Sequence, residues 1–152
     1  MDLHARYLSW AERPPESLIG DPIWRLPAFR MGRFLSIVAA EDARRVRSAA
    51  LRDVTVRQLL HAIDSISANI AEGYSRFSGK DRARFYELAL GSAREGREWY
   101  ERLNAQLGAH AVAERTSLLN HIIRVLTHAI PEERSGSSER RMSSRKKKTG
   151  DQ

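Results

Sequence analysis

The residues best suited to specific polar chemistry lie in and before the stretch 65–75, which reads SISANIAEGYS. If the region is helical, five small or polar residues return to one side of a 3.6-residue spiral. This polar stripe comprises Gln58, Ala62, Ser65, Asn69 and Glu72. Asn69 and Glu72 could make specific hydrogen bonds across a subunit interface or in a ligand groove. Alternatively, they satisfy backbone groups and neighbouring helix ends close to Gly73.

Two groups of basic residues are candidates for binding nucleic acid. The first, the arginine cluster, comprises Arg44, Arg45, Arg47, Arg52 and Arg57. The second lies near the C-terminus and comprises Arg140, Arg141, Arg145, Lys146, Lys147 and Lys148. No acidic residue interrupts this second group, so it can contact phosphates without reading a base sequence. The alternative is a terminus that only improves solubility. A formal net charge of +7 favours attraction to polyanions.

Four aromatic residues, Tyr74, Phe77, Tyr86 and Tyr100, could stack on unpaired bases. At helical spacing, however, aromatic side chains also form cores and subunit contacts. The sequence leaves both interpretations open.

The sequence contains no recognisable catalytic or metal-binding pattern. It has no cysteine, which excludes disulfides, thiolate metal sites and a cysteine nucleophile. None of the five histidines stands in an HExxH motif. Glu72, Glu87 and Glu95 could converge in a helical bundle as di-iron ligands do, but no Glu-x-x-His motif accompanies them. We therefore expect no catalytic residue, no metal and no cofactor.

Length and composition suit one domain with a sizeable core, since the chain has 152 residues of which 41% are hydrophobic. No apolar run approaches the roughly 20 residues that cross a bilayer. Charged residues and the pair Pro14-Pro15 interrupt the N-terminal region, where a signal peptide needs an apolar segment. We expect a cytoplasmic protein that is neither secreted nor associated with a membrane.

Apolar spacing divides the chain into an N-terminal extension (1–20), a helical domain (21–130) and a disordered basic tail (131–152). Pro14 and Pro15 end a short apolar pattern in the extension, which either docks on the domain or stays loose. Within the domain the pattern predicts four helices. The first begins near Pro27 and runs to about Ala49, because no Gly or Pro stops it earlier.

Start and stop signals mark the second and third helices. Thr55-x-x-Gln58 reads as a capping box for the second helix, and Gly73 is placed to end it with a positive φ. Ser78 is expected to cap the third helix, with Asp81 in its first turn.

The third helix ends at Gly108, and the fourth spans about 111–130 and stops at Pro131. The third helix carries the clearest apolar seam, at near-heptad spacing. This seam comprises Phe85, Leu88, Ala89, Ser92, Gly96, Trp99, Leu103 and Leu107. Short connections between four amphipathic helices predict an all-α, up-down-up-down antiparallel four-helix bundle.

Four small residues in the third helix, Gly91, Ser92, Ala93 and Gly96, need a separate explanation. Each Gly costs roughly 1 kcal/mol of helix propensity relative to Ala. Close approach of another helix would account for them.

Several motifs resemble one bacterial family. They are Gln58-Leu59, Ser65-Ile66, the run NIAEG at 69–73 and the run GSARE at 91–95. Across residues 24–130 the chain is similar to the four-helix-bundle proteins first found in intervening sequences of large-subunit ribosomal RNA genes. The resemblance implies a ring-forming homo-oligomer, a pentamer, with a non-enzymatic role. It marks as family-motif or interface residues Gln58, Ser65, Asn69, Glu72, Gly73, Gly91 and Ser92.

The same resemblance suggests a partner. A structurally related accessory protein of diversity-generating retroelements is a pentameric bundle that binds a reverse transcriptase and nucleic acid, which by analogy implies an adaptor role. The chain departs from the family at Leu60-His61, where relatives usually carry a basic pair. The arginine cluster or the tail would then supply the positive charge.

The resulting hypothesis is a non-catalytic, oligomeric adaptor that binds nucleic acid, in particular RNA, as an accessory factor to a reverse transcriptase. Its expected partners are other copies of the chain, the nucleic acid and the reverse transcriptase. The alternative is a structural or protein-interaction oligomer with no nucleic-acid role. An enzyme is the least favoured class.

Overall fold

The structure is a computed structural model that describes residues 2–48 and 52–136. These residues form six α-helices and no β-strand, which confirms the predicted all-α class. The helices are α1 (Leu3–Ala11), α2 (Pro27–Arg45), α3 (Arg57–Tyr74), α4 (Gly79–Arg102), α5 (Asn104–Leu107) and α6 (Ala109–Arg134). Two 3₁₀ turns, Glu16–Leu18 and Pro22–Arg25, lie between α1 and α2, and a π-helical turn, Arg52–Val56, leads into α3. None of the described helices combines the length and apolar character that a membrane crossing requires.

The four long helices enclose the core by pairwise packing. Both α3 and α6 pack against α2 and against α4. The contacts between α3 and α4 run in opposite chain directions: Gly73, late in α3, meets Phe85, early in α4, whereas Ile63 meets Gly96 farther along α4. Fully buried side chains from all four helices fill the interior, among them Phe34, Leu35, Leu59, Ile63, Ile66, Ile70, Tyr100, Leu119, Ile122 and Leu126.

The N-terminal helix α1 docks on this core, so the docking alternative for the extension holds. α1 contacts α2 and α6. Its Leu3 and Tyr7 side chains are buried, and the Trp10 ring packs 5.2 Å from Trp24 and 5.5 Å from Phe34 between centroids. Arg6 forms a two-pronged ion pair with Glu41 of α2. The helix is therefore held by an apolar contact that charged groups flank.

The first predicted helix end is wrong. α2 ends at Arg45 rather than near Ala49, because Val46 adopts an extended backbone (φ −76°, ψ 111°) and turns its side chain into the core. Residues 49–51, where the end was expected, lie outside the described residues.

The predicted capping box at Thr55 is also absent. The π-helical turn Arg52–Val56 passes directly into α3, Val56 is itself helical (φ −66°, ψ −40°), and no side chain caps the start of α3. A cap needs a non-helical residue at the boundary, and no such residue stands between the two elements.

Gly73 does not end α3 through a positive φ. The helix continues to Tyr74, and the described glycines with positive φ are Gly20, Gly108 and Gly136. Gly73 is instead buried where α3 meets α4: a Cβ at this position would lie 2.9 Å from the Phe85 Cβ and 3.0 Å from the Tyr86 Cε1. Glycine is required here by the space between two helices.

The start of α4 is confirmed and its end is more complex than predicted. The Ser78 hydroxyl accepts from the Asp81 N–H at 3.1 Å and donates to the Asp81 carboxylate at 2.7 Å. The regular helix ends at Arg102, and the one-turn helix α5 follows. Gly108, with φ +89°, then separates α5 from α6, which begins at Ala109.

Pro131 does not stop the last helix, since α6 continues to Arg134. Proline removes one backbone donor and crowds the preceding turn, but here it stands only a few residues from the helix end. The final turn is fixed from outside, because the Arg82 Nε donates to the Glu133 Oε2 at 2.7 Å.

The predicted seam of α4 is partly wrong. Leu88 is 50% exposed, and Phe85, Ser92 and Trp99 are only half-buried. Most of the buried residues of α4 are small, namely Gly79, Ala83, Ala89, Ala93 and Gly96. The remaining two are Tyr86 and Tyr100. Small side chains allow α3 and α6 to approach closely, and the bulkier apolar residues are left on the outside.

Replacing Gly73 with Ala is expected to destabilise the fold although it improves helix propensity. The added Cβ would overlap side-chain and backbone-proximal atoms of α4, and overpacking of this kind typically costs about 1–3 kcal/mol. Asp64→Ala is the matched control, because Asp64 lies on the exposed side of α3 and also gains propensity. Urea denaturation should show a lower midpoint for Gly73→Ala only. An unchanged midpoint would contradict the close contact.

Candidate interaction surface

The arginine cluster occupies one end of the molecule, where α2 finishes and α3 begins. Arg44, Arg45, Arg47 and Arg57 are all exposed. Arg45 pairs weakly with Asp42, at 3.5 Å, whereas Arg44, Arg47 and Arg57 form no ion pair within the described part of the chain. The side chain of Arg52 lies outside the described residues.

One structural role competes with binding at this end. Arg44 and Arg45 stand in the last turn of α2, where cations interact favourably with the negative end of the helix dipole. Arg47 and Arg57 lie outside that turn and have no such role. Exposed guanidinium groups without carboxylate partners keep their full charge available for a polyanion.

The basic tail residues Arg140, Arg141, Arg145 and Lys146 to Lys148 lie outside the described residues. The last described residue, Gly136, follows α6. The end of α6 contacts the start of α4 through Glu133 and Gly79. Gly136, the last described residue before the tail, therefore lies at the end opposite to the arginine cluster.

The polar stripe on α3 makes local hydrogen bonds. The Ser65 hydroxyl donates to the His61 carbonyl at 2.7 Å, and the Asn69 Nδ2 donates to the Ser65 carbonyl at 2.8 Å. Glu72 pairs with Arg76 one turn later, and Gln58 is exposed. The hydrogen bonds and the ion pair that this stripe makes within the described chain therefore stay within α3 and the turn that follows it.

The outer side of α4 continues this stripe. The Arg76 guanidinium, which pairs with Glu72, lies 4.9 Å from the centroid of the Phe85 ring, so the end of the α3 stripe meets the start of the outer side of α4. Farther along α4, Arg102 lies 4.7 Å from the Trp99 ring centroid, and the Trp99 Nε1 donates to Glu95 at 3.1 Å. We call this surface the motif face; it comprises Gln58, Ser65, Asn69 and Glu72 of α3 and Phe85, Leu88, Gly91, Ser92, Glu95 and Trp99 of α4.

Gly91 stands out on the motif face. It is exposed, and a Cβ there would meet no atom within 4 Å among the described residues. Gly96 and Ala93 are buried, and a Cβ on Gly96 would come within 2.7 Å of Ile63, as the expected close approach of a helix requires. No neighbour among residues 2–48 and 52–136 accounts for the glycine at 91 or for the exposed Leu88.

The four candidate stacking aromatics divide into two pairs. Tyr86 and Tyr100 are core residues, so the stacking interpretation is wrong for them. Burial raises the pKa of Tyr86 to about 12, and burial next to Asp42 raises the pKa of Tyr100 well above its usual value. Tyr74 is 37% exposed and Phe77 is 97% exposed, so both reach solvent.

The carboxylates considered as metal ligands do not converge. Glu72 pairs with Arg76, Glu87 pairs with Arg134, and Glu95 accepts from Trp99. No group of three or more potential ligands comes together among residues 2–48 and 52–136.

A buried ion cluster, not predicted from the sequence, joins α2, α4 and α6. The Asp42 carboxylate accepts from the Arg115 Nε at 2.9 Å, from the Arg115 Nη2 at 3.1 Å and from the Tyr100 hydroxyl at 3.2 Å. Asp42 and Arg115 are both buried. The pKa of Arg115 is raised, since the hydrogen bonds and charge of Asp42 outweigh the opposing effect of burial. Glu114 also pairs with Arg115, at 3.1 Å, and accepts from the Leu3 N–H of α1 at 2.8 Å.

The sequence held a signal for this cluster. Asp42 follows Leu35, Val38 and Ala39 at helical spacing, so it occupies a position on the apolar stripe of α2. Arg115 stands in the same way between Val112 and Leu119 on α6. Two opposite charges on the inner stripes of two helices predict a buried pair, since a buried charge needs a partner.

Comparison with known families agrees with the motif residues. The statistical description of the 23S rRNA-intervening sequence protein family matches residues 43–134, more than half of the chain. The chain belongs to this family. No curated protein and no solved structure matches this chain.

The family region of this 23S rRNA-intervening sequence protein begins at Ala43, in the last turn of α2, and ends at Arg134. It contains the motif face and the arginine cluster. It leaves out α1 and most of α2, including Asp42. The buried ion cluster therefore connects the family region to the N-terminal part of this chain.

Removing the charge of Asp42 should strongly destabilise this intervening sequence protein. Asp42→Leu leaves the buried Arg115 with the Glu114 carboxylate alone, and breaking a buried pair typically costs about 3–5 kcal/mol. Asp42→Leu combined with Arg115→Met removes both charges and should recover much of the loss. The measurement is the free energy of unfolding in urea. Equal stability of the single and double variants would show that the pair does not couple the helices.

Proposed function

We propose that this protein is a non-catalytic, self-associating four-helix bundle that binds RNA through its arginine-rich end, with the basic tail as a second contact. The long helices α2, α3, α4 and α6 form the bundle in up-down-up-down order. The observation that carries the RNA part is the group of exposed arginines, Arg44, Arg47 and Arg57, at one end of the molecule, which form no ion pair with another described residue. The name of the family, which refers to an intervening sequence in 23S rRNA, supports RNA as the polyanion.

The charge distribution fits contact with a phosphate backbone. Residues 137–152 contain six Lys or Arg and two acidic residues, so they carry four of the seven net positive charges. Phosphate contacts release condensed counterions and do not depend on the base sequence. By analogy with the structurally related accessory protein of diversity-generating retroelements, the proposal extends to an adaptor role with a reverse transcriptase as the protein partner.

Self-association is assigned to the motif face. A helix that carries Gly91 gives up about 1 kcal/mol relative to Ala, and no neighbour within the described chain explains it. Close approach by a second copy would. Leu88 and the half-exposed Trp99 on the same side of α4 supply apolar area for such a contact. The resemblance implies a closed ring of five copies.

A second candidate function is a protein-interaction oligomer without a role in binding nucleic acid. The exposed apolar residues of the motif face favour it, because they fit a protein partner as well as a second copy. The two candidates differ in their response to salt. Binding through phosphate contacts weakens steeply with salt concentration, whereas binding through apolar surface does not.

Neutralising the arginine cluster should weaken RNA binding and reduce its salt dependence. In the variant Arg44→Gln, Arg47→Gln, Arg57→Gln, loss of three phosphate contacts should lower the slope of log K against log salt by roughly 2 for single-stranded RNA. Fluorescence anisotropy between about 50 and 200 mM salt measures both quantities.

The matched control removes the same charge from other exposed positions, Arg13→Gln, Arg84→Gln and Arg124→Gln. It should keep the wild-type slope. A form that ends at Gly136 reports the separate contribution of the tail. If the full chain binds no RNA at low salt, the RNA part of the proposal fails and the protein-interaction function takes its place.

Gly91→Arg should dissociate the oligomer and leave the fold intact. The new side chain has open space in the single chain, but it would fill the gap that a second copy needs. Sedimentation equilibrium should show a lower mass, whereas the thermal unfolding of the dilute protein should not fall. His121→Arg, at an exposed position of α6, is the control and should keep the wild-type mass. An unchanged mass for Gly91→Arg would place the interface elsewhere.

A further inference from the structure

Arg102 is an exposed cation that an aromatic ring holds in place. It stands in the last turn of α4, and its guanidinium lies over the Trp99 ring, 4.7 Å from the centroid. Glu98 has the i, i+4 spacing to Arg102 that favours an ion pair on a helix. Even so, Arg102 forms no ion pair with another described residue. Its charge and the face turned away from Trp99 are therefore available to a molecule outside the chain.

The Trp99 ring that supports Arg102 is itself fixed. Its Nε1 donates to the Glu95 carboxylate at 3.1 Å, one turn earlier on α4. The side chain is half-buried and packs against the core. A guanidinium that already stacks on a fixed ring loses little further conformational freedom when it binds a ligand. The two residues therefore present a preorganised, planar and positively charged surface.

Arg102 lies at the arginine-rich end of the helical core. α3 and α4 run in opposite directions, and Ile63 of α3 meets Gly96 of α4. Arg57 stands six residues before Ile63, and Arg102 stands six residues after Gly96. Both arginines therefore lie about 9 Å from this contact, towards the same end of the core. Since Arg57 belongs to the arginine cluster, Arg102 extends the positively charged end from α3 to α4.

We infer that Arg102 stacks on an unpaired base of the bound RNA, with Trp99 supporting the guanidinium on its other face. The inference rests on the proposed RNA binding and names the kind of RNA that is bound. Single-stranded RNA offers its bases to aromatic rings and guanidinium planes, whereas the bases of a duplex are stacked on each other. The neighbouring arginines contact phosphates, which every RNA carries. Arg102 is therefore the residue that distinguishes a single strand from a duplex.

The helix dipole offers a simpler reason for a cation at this position. Arg102 is in the last turn of α4, where a positive charge is favourable. A lysine would serve that purpose equally well. Stacking on a ring and on a base needs the planar guanidinium, which lysine lacks. The two roles can therefore be separated by a substitution that keeps the charge.

Arg102→Lys should weaken binding of single-stranded RNA without changing its electrostatic part. Affinity for a short oligouridylate should fall about 5-fold or more, which corresponds to the loss of one stacked base. The slope of log K against log salt and the affinity for an RNA duplex should stay at the wild-type values, because the charge is kept. Fluorescence anisotropy measures all three quantities.

Arg94→Lys, at another exposed position of α4, is the matched control and should bind both RNAs as the wild type does. If Arg102→Lys binds the single strand with wild-type affinity, Arg102 acts only as a charge and the stack is overturned. Sedimentation equilibrium of Arg102→Lys should show the wild-type mass. A lower mass would assign Arg102 to self-association and overturn the inference as well.

Crosslinking locates the base in the full-length protein. An oligouridylate that contains 4-thiouridine should, on irradiation, link to residues 98–103, and mass spectrometry should identify the linked peptide. Arg102→Lys should reduce this product, whereas Arg94→Lys should leave it unchanged. Links confined to the arginine cluster or to the basic tail would overturn the stack.

The outcomes separate this inference from the proposed function. If the full chain binds no RNA at low salt, the proposed RNA binding and the stack both fail. If the full chain binds single strand and duplex equally well and Arg102→Lys changes neither affinity, RNA binding stands and only the stack is overturned.

Discussion

The inner face of α4 is the constraint on which the rest of this fold depends. Ala83, Ala89, Ala93 and Gly96 put little more than backbone between α4 and its two neighbours, α3 and α6. Close packing follows, and the residues opposite must fit within a few tenths of an ångström, as the contacts of Gly73 with Phe85 and Tyr86 show. Because the side of α4 that meets α3 and α6 consists mostly of Ala and Gly, with Tyr86 and Tyr100 as the large exceptions, the bulky Leu88 and Trp99 lie on the outer side of the helix. The small side chains on the inner side of α4 therefore influence both the packing of the core and the outer surface that carries Leu88 and Trp99.

The buried ion cluster gives this packing a second level of specificity. Asp42 receives donors from α4 and α6, and Glu114 carries the network on to the backbone of α1. A buried pair adds little net stability compared with an apolar one, but sliding of the helices would leave a buried charge unpaired, and breaking such a pair typically costs about 3–5 kcal/mol. The cluster also explains how a chain that extends beyond its family region holds the additional helix in place.

The sequence predicts the fold class and the number of long helices well, but it predicts local boundaries poorly. Apolar periodicity and the Ser78 cap depend on neighbouring residues and are visible in sequence. Gly73 shows the limit, because glycine fits both a helix stop and a helix crossing, and only the position of Phe85 decides between them. The seam of α4 fails for a similar reason: a stripe of bulky residues and a stripe of small residues run side by side, and the tertiary packing buries the small one. Some site residues can be predicted from the sequence and others cannot. The arginine cluster can be recognised from its residue types, whereas the exposure of Phe77 depends on a turn that Arg82 holds by hydrogen bonds.

The two ends of the helical core differ in a way that would matter for an oligomer. The arginine cluster lies where α2 ends and α3 begins, and the turn with Phe77 lies at the other end, about 27 Å away along an 18-residue helix. In a cyclic assembly every copy has the same inclination to the ring axis, so if the long helices run along that axis, all arginine-rich ends share one face of the ring and every Gly136 lies at the opposite face. A single RNA bound to the first face would contact several copies at once, and each further copy would act at a high effective concentration. Modest phosphate contacts on one subunit could then give tight binding by the ring, which ties RNA affinity to self-association although the two surfaces are separate.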